Sequence, residues 1–436
     1  MRLRLKAAAG ERDLSSADRQ ASGRALYGLA LAVVFAMSPW FSAAAVLPQL
    51  RALWNLNSAG AAWLTLAVQL GFVAGALLSA AFGLADRAGP RRLMLLGGLL
   101  AGAANLGLLL AHGPVSAVLL RALTGAALAL VYPPALKAMS AWFVRGRGAA
   151  LGIMVGALTL GSALPHLVNG LNTSGRTASG TPWQAVIVVT SLLAVLGGVL
   201  ASRIPDGPHQ FRSAAFRAGQ AWQAFTSPGV RLTTFGYLGH MWELYAMWAW
   251  FSAFFAGVLA QSVVTGGVLI GGGAVGTVSG GAAYATALVV GVGALGCYLG
   301  GVLGDRWGRT RLTALAMLLS GGAALTLALV LPFASPGVLL CISVFWGFWI
   351  IADSAQFSTI VSEIADPAYV GTALTLQLAL GFSLTAVSIV LVPVIEGLLG
   401  WRAVFVVLSL GPLLGAFFMR RLGRSPDAAR IAGGRG

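Results

Sequence analysis

Long apolar segments follow one another along almost the whole sequence, and this pattern restricts the fold more than any other feature. An α-helix needs about 20 apolar residues to cross a lipid bilayer, and turn signals and charges divide the chain into about twelve such segments. We place them at 26–48, 59–85, 93–112, 115–137, 149–170, 183–202, 232–257, 281–303, 312–332, 337–361, 371–395 and 402–420. The sequence therefore predicts an all-α integral membrane protein.

The composition agrees with lipid as the main solvent. Charged residues make up 9% of the chain and hydrophobic residues 58%, whereas a soluble domain carries roughly 25% charged residues. The first apolar segment follows a basic stretch, as in a signal peptide, but it is long enough to span, so we expect an uncleaved first helix. The glycine-rich stretch Gly266–Gly281 makes a poor lipid-facing helix, and we expect an outer loop there.

Basic residues are concentrated in alternate loops. With the N-terminus placed in the cytoplasm, 24 of the 28 Lys and Arg residues fall in the tails and inner loops; the exceptions are Arg51, Arg176 and Arg402 outside and Arg121 within a span. Cytoplasmic loops carry such an excess. We therefore expect a multi-pass protein of the cell inner (plasma) membrane with both termini in the cytoplasm. The net charge of +16 is explained by these loops and does not indicate nucleic-acid binding.

Two similar loops lie half a chain apart. The first reads GLADRAGPRR from Gly83 and the second reads GVLGDRWGRTR from Gly301, so that their aspartates are 219 residues apart. This spacing predicts a parallel repeat of six helices plus six. The predicted divisions are a cytoplasmic tail 1–25, a bundle 26–202, a cytoplasmic linker 203–231, a bundle 232–420 and a cytoplasmic tail 421–436.

The two loops, at corresponding positions in a twelve-span pattern, resemble the signature of the major facilitator superfamily (MFS). That signature is a Gly-x-Leu-Ala-Asp-Arg-x-Gly-Arg-Arg-type loop after span 2, echoed after span 8. The second copy matches well, whereas the first has Phe82 in place of the early glycine and Pro90 at the first basic position. The resemblance implies the MFS fold, with two pseudo-symmetric six-helix bundles, and transport by alternating access.

The loop residues are candidates for a conformational motif. Gly89 and Gly308 permit a tight turn between antiparallel helices. By the resemblance, the first loop aspartate meets the start of helix 11 and the second meets the start of helix 5. The motif candidates are Asp86, Arg87, Gly89, Arg92, Gly301, Asp305, Arg306, Gly308 and Arg309.

The loop between spans 10 and 11 is acidic. It carries Glu363 and Asp366, which we expect to lie opposite Arg91 and Arg92. We hypothesise that these charges, with the two loop aspartates, hold the cytoplasmic side shut in the outward-open state. The alternative is that the loops only set topology and turn shape.

Ionisable side chains inside spans are costly and are therefore functional candidates. Arg121 in span 4 begins an Arg-x-x-x-Gly pattern that ends at Gly125, and this resembles an MFS motif linked to proton transfer in proton-coupled members. A permanent cation in a dry bundle needs a partner, either a carboxylate or a substrate anion. The alternatives are a structural tie to helix carbonyls and a side chain that reaches the outer surface.

Glu243 lies about 12 residues into span 7, near the midplane, where such transporters bind substrate. His240, Met247 and Trp250 share its helical face. A carboxylate in an apolar site holds a proton more readily than it does in water. Glu243 is therefore our first candidate for proton coupling, with His240 as relay and Trp250 as a cavity-lining candidate. The alternative is a protonated carboxyl that only joins two helices.

Three further polar residues are candidates for substrate or proton binding. Asp353 lies toward the cytoplasmic half of span 10, close to Gln356, and it can bind a cation or pair with a basic inner-loop residue. His166 follows Pro165 in span 5 and is a cavity-lining candidate. Antiporter branches of the superfamily carry a Gly-Pro pair near this point, where this chain has Leu164-Pro165, so the direction of transport stays open.

These observations predict a secondary active transporter and not an enzyme. The sequence has no Gly-x-x-x-x-Gly-Lys-Ser/Thr phosphate loop, no cysteine spacing typical of a metal site and no feature that indicates a cofactor or a channel. A single cavity arginine suits a small organic anion or neutral metabolite taken up with protons. Glu243 and Asp353 instead suit proton-driven efflux of drugs or other lipophilic compounds. We expect the lipid bilayer, a small-molecule substrate and protons as partners of a monomer.

Overall fold

Helices satisfy the backbone hydrogen bonds of a chain that has little water around it. The computed structural model describes residues 16–143, 147–173, 183–209, 225–265, 272–366 and 370–436, and these contain helices and turns but no strand. The helices are α1 (Ser16–Ala36), α2 (Ser42–Ala45), α3 (Leu47–Trp54), α4 (Ser58–Ala81), α5 (Leu84–Arg87), α6 (Pro90–Leu106), α7 (Pro114–Leu128), α8 (Tyr132–Ser140), α9 (Arg147–Thr173), α10 (Trp183–Arg203), α11 (Pro228–Thr265), α12 (Gly272–Gly291), α13 (Gly293–Trp307), α14 (Arg309–Val330), α15 (Pro336–Trp349), α16 (Ser354–Ile364) and α17 (Val370–Gly423).

Ten helical segments in the described ranges are long and apolar enough to cross a membrane. The last of them, α17, contains Gly400 with a φ of 75°, and this residue divides it into two helices. A shorter apolar stretch, Gln20–Ala36, lies in α1. These features agree with twelve spans, although the full count stays a prediction.

Several predicted spans are broken, and the first is the clearest correction. The prediction was one helix over 26–48, but α1 ends at Ala36, a turn follows, and the chain continues as α2 and α3. Pro39 lies in that turn, where a proline removes a backbone donor and disfavours a continuous helix. Span 4 is likewise divided into α7 and α8, and span 10 into α15 and α16 at residues 350–353.

The glycine-rich stretch after span 7 also differs from expectation. The predicted outer loop Gly266–Gly281 is helical from Gly272, where α12 begins, while residues 266–271 lie outside the described part of the chain. Helix α11 extends to Thr265 and packs against α12. Glycine disfavours helices in water. In a bilayer, however, a backbone group without a hydrogen bond costs more free energy than the low helix propensity of glycine, so the segment stays helical.

Helices of the first and second halves of the chain meet along two seams. In one seam α9 packs against α12 and α13, and in the other α4 packs against α17. A Cβ atom added to Gly152 of α9 would lie 2.5 Å from the carbonyl oxygen of Cys297. The backbones of α9 and α13 are therefore in direct contact in the first seam. The second seam encloses the cavity described below. The predicted domain boundaries at 25, 202, 231 and 420 stay predictions.

Candidate functional site

A cavity of about 1640 Å³ opens on the face where α4, α8 and α10 end, which we call the loop face. Helices α4 and α17 form two of its walls, with residues of α6 and α8 between them. The wall residues of α4 and α17 are mostly apolar: Phe72, Val73, Ala76, Leu77, Leu374, Leu378 and Phe382. The cavity therefore penetrates the predicted membrane region from one side of the molecule.

The rim of this cavity is basic. Arg87, Arg91, Arg92 and Lys137 line it, and Asp206 is the single carboxylate among the described lining residues. The guanidinium of Arg91 donates to the carbonyl oxygen of Ser202 and lies 3.9 Å from the Asp206 carboxylate. The described lining residues thus include four basic side chains and one carboxylate, and an excess of positive charge attracts anions.

Aromatic side chains close the deep end of the cavity. The rings of Phe72 and Phe382, on opposite walls, have centroids 5.1 Å apart. Trp40, in the turn after α1, lies 4.8 Å from Phe72 and 5.9 Å from Tyr245 of α11. We call Trp40, Phe72, Tyr245 and Phe382 the aromatic floor. It joins the two halves of the chain and separates the cavity from the opposite face.

Arg121 is fully buried and lies at the break in the first span. Its guanidinium donates to the carbonyl oxygens of Pro39 (2.8 Å) and Trp40, both in that turn, and to the carbonyl oxygen of Leu64 (3.2 Å). It also donates to Ser42 Oγ and Asn105 Oδ1, each at 3.1 Å. No carboxylate of the described residues contacts it. These contacts fit the structural alternative, in which the arginine binds carbonyls freed by the broken helix.

Glu243 is buried inside the second half of the chain. Trp346 Nε1 of α15 donates to Glu243 Oε1 at 2.7 Å, and Ser320 Oγ of α14 donates to Oε2 at 3.0 Å. The carboxyl group of α11 thus joins three helices. It does not line the large cavity.

His240 and Asp353 form a second buried pair beside Glu243. His240 Nδ1 lies 2.9 Å from Asp353 Oδ1, and both side chains are at most 2% exposed. Despite this short distance, Asp353 Oδ1 has no hydrogen-bond partner among the described residues. The other ring nitrogen, His240 Nε2, has none either. Asp353 thus pairs with His240 of α11 and not with a basic inner-loop residue of the described part, and its other predicted role, binding a cation, stays a prediction.

Tyr237 connects this pair to the wall of the cavity. Its ring centroid lies 6.1 Å from that of His240, and its ring packs directly on the backbone of α17 at Gly381, next to Phe382. Tyr237 is not among the residues predicted from the sequence, although it lies one turn before His240 on α11. Its signal was the spacing of Tyr237, Met241 and Tyr245, which places them on one face of that helix.

The remaining candidates lie apart from one another. His166 of α9 is buried, and its Nδ1 has no hydrogen-bond partner in the described part of the chain. Trp250 donates to the carbonyl oxygen of Ile389 at 2.9 Å and packs inside the second half. Gln356 accepts from Arg309 and donates to the Gly300 carbonyl, so it belongs to the second loop. None of these three residues lines the large cavity.

The second loop is tightly packed. Arg309 contacts Asp305 Oδ1 at 2.8 Å and both carboxylate oxygens of Glu363 at 3.1–3.2 Å. The Asp305 carboxylate lies against Gly148, the second residue of α9, which agrees with the contact to helix 5 that the resemblance implies. Glu363 therefore pairs with Arg309 of its own half in this structure. Its predicted contact with Arg91 or Arg92 concerns a state in which the loop face is shut, whereas the cavity opens on that face here, so that contact stays a prediction.

The first loop has a different environment. Gly89 has a φ of 75° and Gly308 of the second loop a φ of 99°, which confirms that both turns need glycine. Gly83 and the start of α17 at Val370 both line the cavity. The side chain of Asp86 lies outside the described part of the chain, so its predicted contact with helix 11 stays a prediction. Gly301 packs against the Gly148 carbonyl, and Arg306 is exposed.

The helical arrangement and the paired loops are shared with a known protein family. A model of the Major Facilitator Superfamily matches residues 29–388. The chain belongs to the major facilitator superfamily. Membership makes it a multi-pass membrane protein and a secondary transporter of some solute, with the lipid bilayer and a small molecule as its partners.

Solved structures support the same fold for this MFS protein. One is described as the crystal structure of a bacterial homolog to the human lysosomal transporter Spinster, in an inward-facing and occupied conformation. It matches with a TM-score of 0.67 and 15% sequence identity over 95% of this chain and 99% of that chain. A likeness at this identity concerns the fold alone. No curated protein matches this MFS chain in sequence.

Proposed function

We propose that this protein is a proton-coupled secondary transporter of the inner membrane that carries a small organic anion by alternating access. The observation that carries the proposal is the cavity with a basic rim, where four cations face a single described carboxylate. A low-dielectric cleft lined by one sign of charge concentrates solutes of the opposite sign. The loop face is then the cytoplasmic face, with both termini on that side, and a monomer suffices.

Glu243 is the proposed proton carrier. Each of its carboxylate oxygens accepts one hydrogen bond, from Trp346 or from Ser320, so a bound proton changes the contacts among three helices. His240 and Asp353 lie beside it, and Tyr237 connects them to α17. Proton binding in this cluster can thus be transmitted to the cavity wall without any contact between Glu243 and the substrate.

Proton-driven efflux of lipophilic compounds is the second candidate. The walls of α4 and α17 are largely apolar, and apolar walls bind lipophilic molecules. The buried carboxyl groups of Glu243 and Asp353 would then exchange protons for the exported compound. The basic rim opposes cations in this role, which is why we rank transport of an anion first.

Proton flux in proteoliposomes that contain an internal pH dye tests the proposal. Glu243→Gln is compared with wild type, and Glu396→Gln, the same change at an exposed position of α17, is the matched control. We expect an external organic acid to acidify the lumen in wild type and in Glu396→Gln but not in Glu243→Gln. Equal proton flux in all three proteins would refute Glu243 as the carrier. Alkalinisation of an acid-loaded lumen by lipophilic cations would establish efflux in its place.

A further inference from the structure

The cavity has two chemically different parts. The described charged residues that line it, Arg87, Arg91, Arg92, Lys137 and Asp206, all belong to the ends of helices or to loops at the loop face. Below them the lining comes mainly from apolar side chains of α4 and α17. A ligand that fills the whole cavity must therefore be charged at one end and apolar along the rest.

We infer that the substrate is an organic anion with one extended apolar chain, whose charged group lies at the arginine rim and whose chain lies between α4 and α17. The inference rests on the proposed function, because it uses the same cavity, and it narrows the substrate class. The anionic group meets the rim cations, while the chain displaces water from the apolar walls.

The depth of the cavity sets the scale of the chain. Ten residues of the sequence separate Phe82 at the rim from Phe72 at the aromatic floor, which is about 15 Å along an α-helix. The floor of Trp40, Phe72, Tyr245 and Phe382 stops the chain there. A ligand much shorter than this leaves apolar wall uncovered.

A compact polar anion fits the interior poorly. The polar side chains of the walls are few, and the hydroxyl group of Thr375 already donates to the Gly371 carbonyl of its own helix. A second charged or hydroxylated group placed deep in the cavity would lose its hydration without gaining partners, which is unfavourable. A lipophilic cation gains the apolar contacts but meets the repulsion of the rim.

A ladder of straight-chain compounds tests the inference on the full-length protein in lipid nanodiscs. The probes are n-alkanoates of increasing length, n-alkyl phosphates of the same lengths, and n-alkyl trimethylammonium ions as matched cations, with empty nanodiscs as the partition control. We expect affinity for both anions to rise about fourfold per methylene and then level off when the chain reaches the floor. The trimethylammonium series should bind more weakly at every length.

Two pairs of variants locate the two ends of the ligand. Arg92→Gln, at the rim, should weaken anion binding about fivefold at all chain lengths, and Arg311→Gln, an exposed arginine outside the cavity lining, serves as its control. Ala76→Phe fills part of the wall and should move the plateau to shorter chains. Leu78→Phe, on an exposed position of the same helix, should leave the plateau in place.

The outcomes separate this inference from the proposed function. If proton-coupled uptake of short organic acids occurs and affinity does not depend on chain length, the proposed function stands and the inference is wrong. If the cation series binds more tightly than the anions, the inference is wrong and efflux is favoured. If the plateau shifts equally in Ala76→Phe and Leu78→Phe, the chain does not lie in this cavity.

Discussion

Arg121 and Glu243 are both buried charged groups, one in each half of the chain, but their surroundings differ. Arg121 donates to three carbonyl oxygens, one hydroxyl group and one amide oxygen, so its guanidinium is close to fully satisfied. Glu243 accepts two hydrogen bonds from the residues that the structure describes. Its neighbours His240 and Asp353 each hold an atom without a hydrogen-bond partner among the described residues.

The difference separates a group that holds geometry from a group that can change state. A guanidinium stays protonated in proteins, so the network around Arg121 has one arrangement, which fixes the turn at Pro39 and Trp40. An oxygen of a carboxyl group or a nitrogen of an imidazole ring donates a hydrogen bond when it carries a proton and accepts one when it does not. The incompletely bonded cluster around Glu243 is therefore the better place for proton coupling, and Arg121 is the better place for a structural tie.

The largest expected effect is that of Arg121→Ala. The change leaves the carbonyl oxygens of Pro39, Trp40 and Leu64 buried without a donor, so we expect a loss of about 3 kcal/mol or more in the free energy of unfolding. Thermal unfolding in detergent measures this loss. Arg402→Ala, which removes one hydrogen bond to Ala328, is the control and should cost about 1 kcal/mol. A stable Arg121→Ala protein with no transport would instead place Arg121 in the transport chemistry.

Trp346→Phe should have a smaller effect and tests the other cluster. It removes the donor to Glu243 Oε1, and hydrogen bonds to charged groups are worth about 2 kcal/mol. Trp242→Phe is a matched control, because that indole donates to the neutral carbonyl of Val407 at the same kind of distance, 2.9 Å, and should cost about 1 kcal/mol. Equal losses of stability would mean that Glu243 is protonated at the pH of the measurement, and repeating the pair of measurements at higher pH would then restore the difference.

Ser320→Ala is expected to have the smallest effect. It deletes the second donor to Glu243 at a cost of about 1 kcal/mol, and it should slow proton-coupled uptake without abolishing it. Ser343→Ala provides the baseline, since that hydroxyl group donates only to the Leu339 carbonyl of its own helix. Stability and proton flux of the two variants, measured side by side, decide the point. Indistinguishable variants would show that Ser320 does not support Glu243.

The sequence predicted the helical spans and the burial of single residues better than it predicted which residues contact one another. The spans, the paired loops and the burial of Arg121, Glu243 and Asp353 follow from hydropathy and spacing, which are local properties. Ser320 and Trp346 lie 77 and 103 residues from Glu243, and no local pattern shows which helix faces another. The same limit explains why Arg309 was not predicted as a partner of Glu363.

The hydropathy pattern also could not predict where helices are broken. The turn after α1 and the division of span 10 at residues 350–353 interrupt runs whose hydropathy is continuous. At the first break the stabilising group is Arg121, which belongs to another helix. At Gly272 the reverse occurred, because a helix begins where a loop was expected. Helix propensities measured in water underestimate the stability of a glycine-rich helix that is removed from water.

The close seam between α9 and α13 has a practical consequence for chemical labelling. Cys297 is buried in that seam, 3.7 Å from the hydroxyl group of Thr159, whereas Cys341 is exposed. A buried thiol is inert until a motion uncovers it, so alkylation of Cys297 by a membrane-permeant maleimide reports how often the two halves separate. Cys341 lies in α15, a candidate membrane span, so it is replaced by serine to leave Cys297 as the labelled thiol. The chain thus contains a built-in probe for measuring its own opening kinetics.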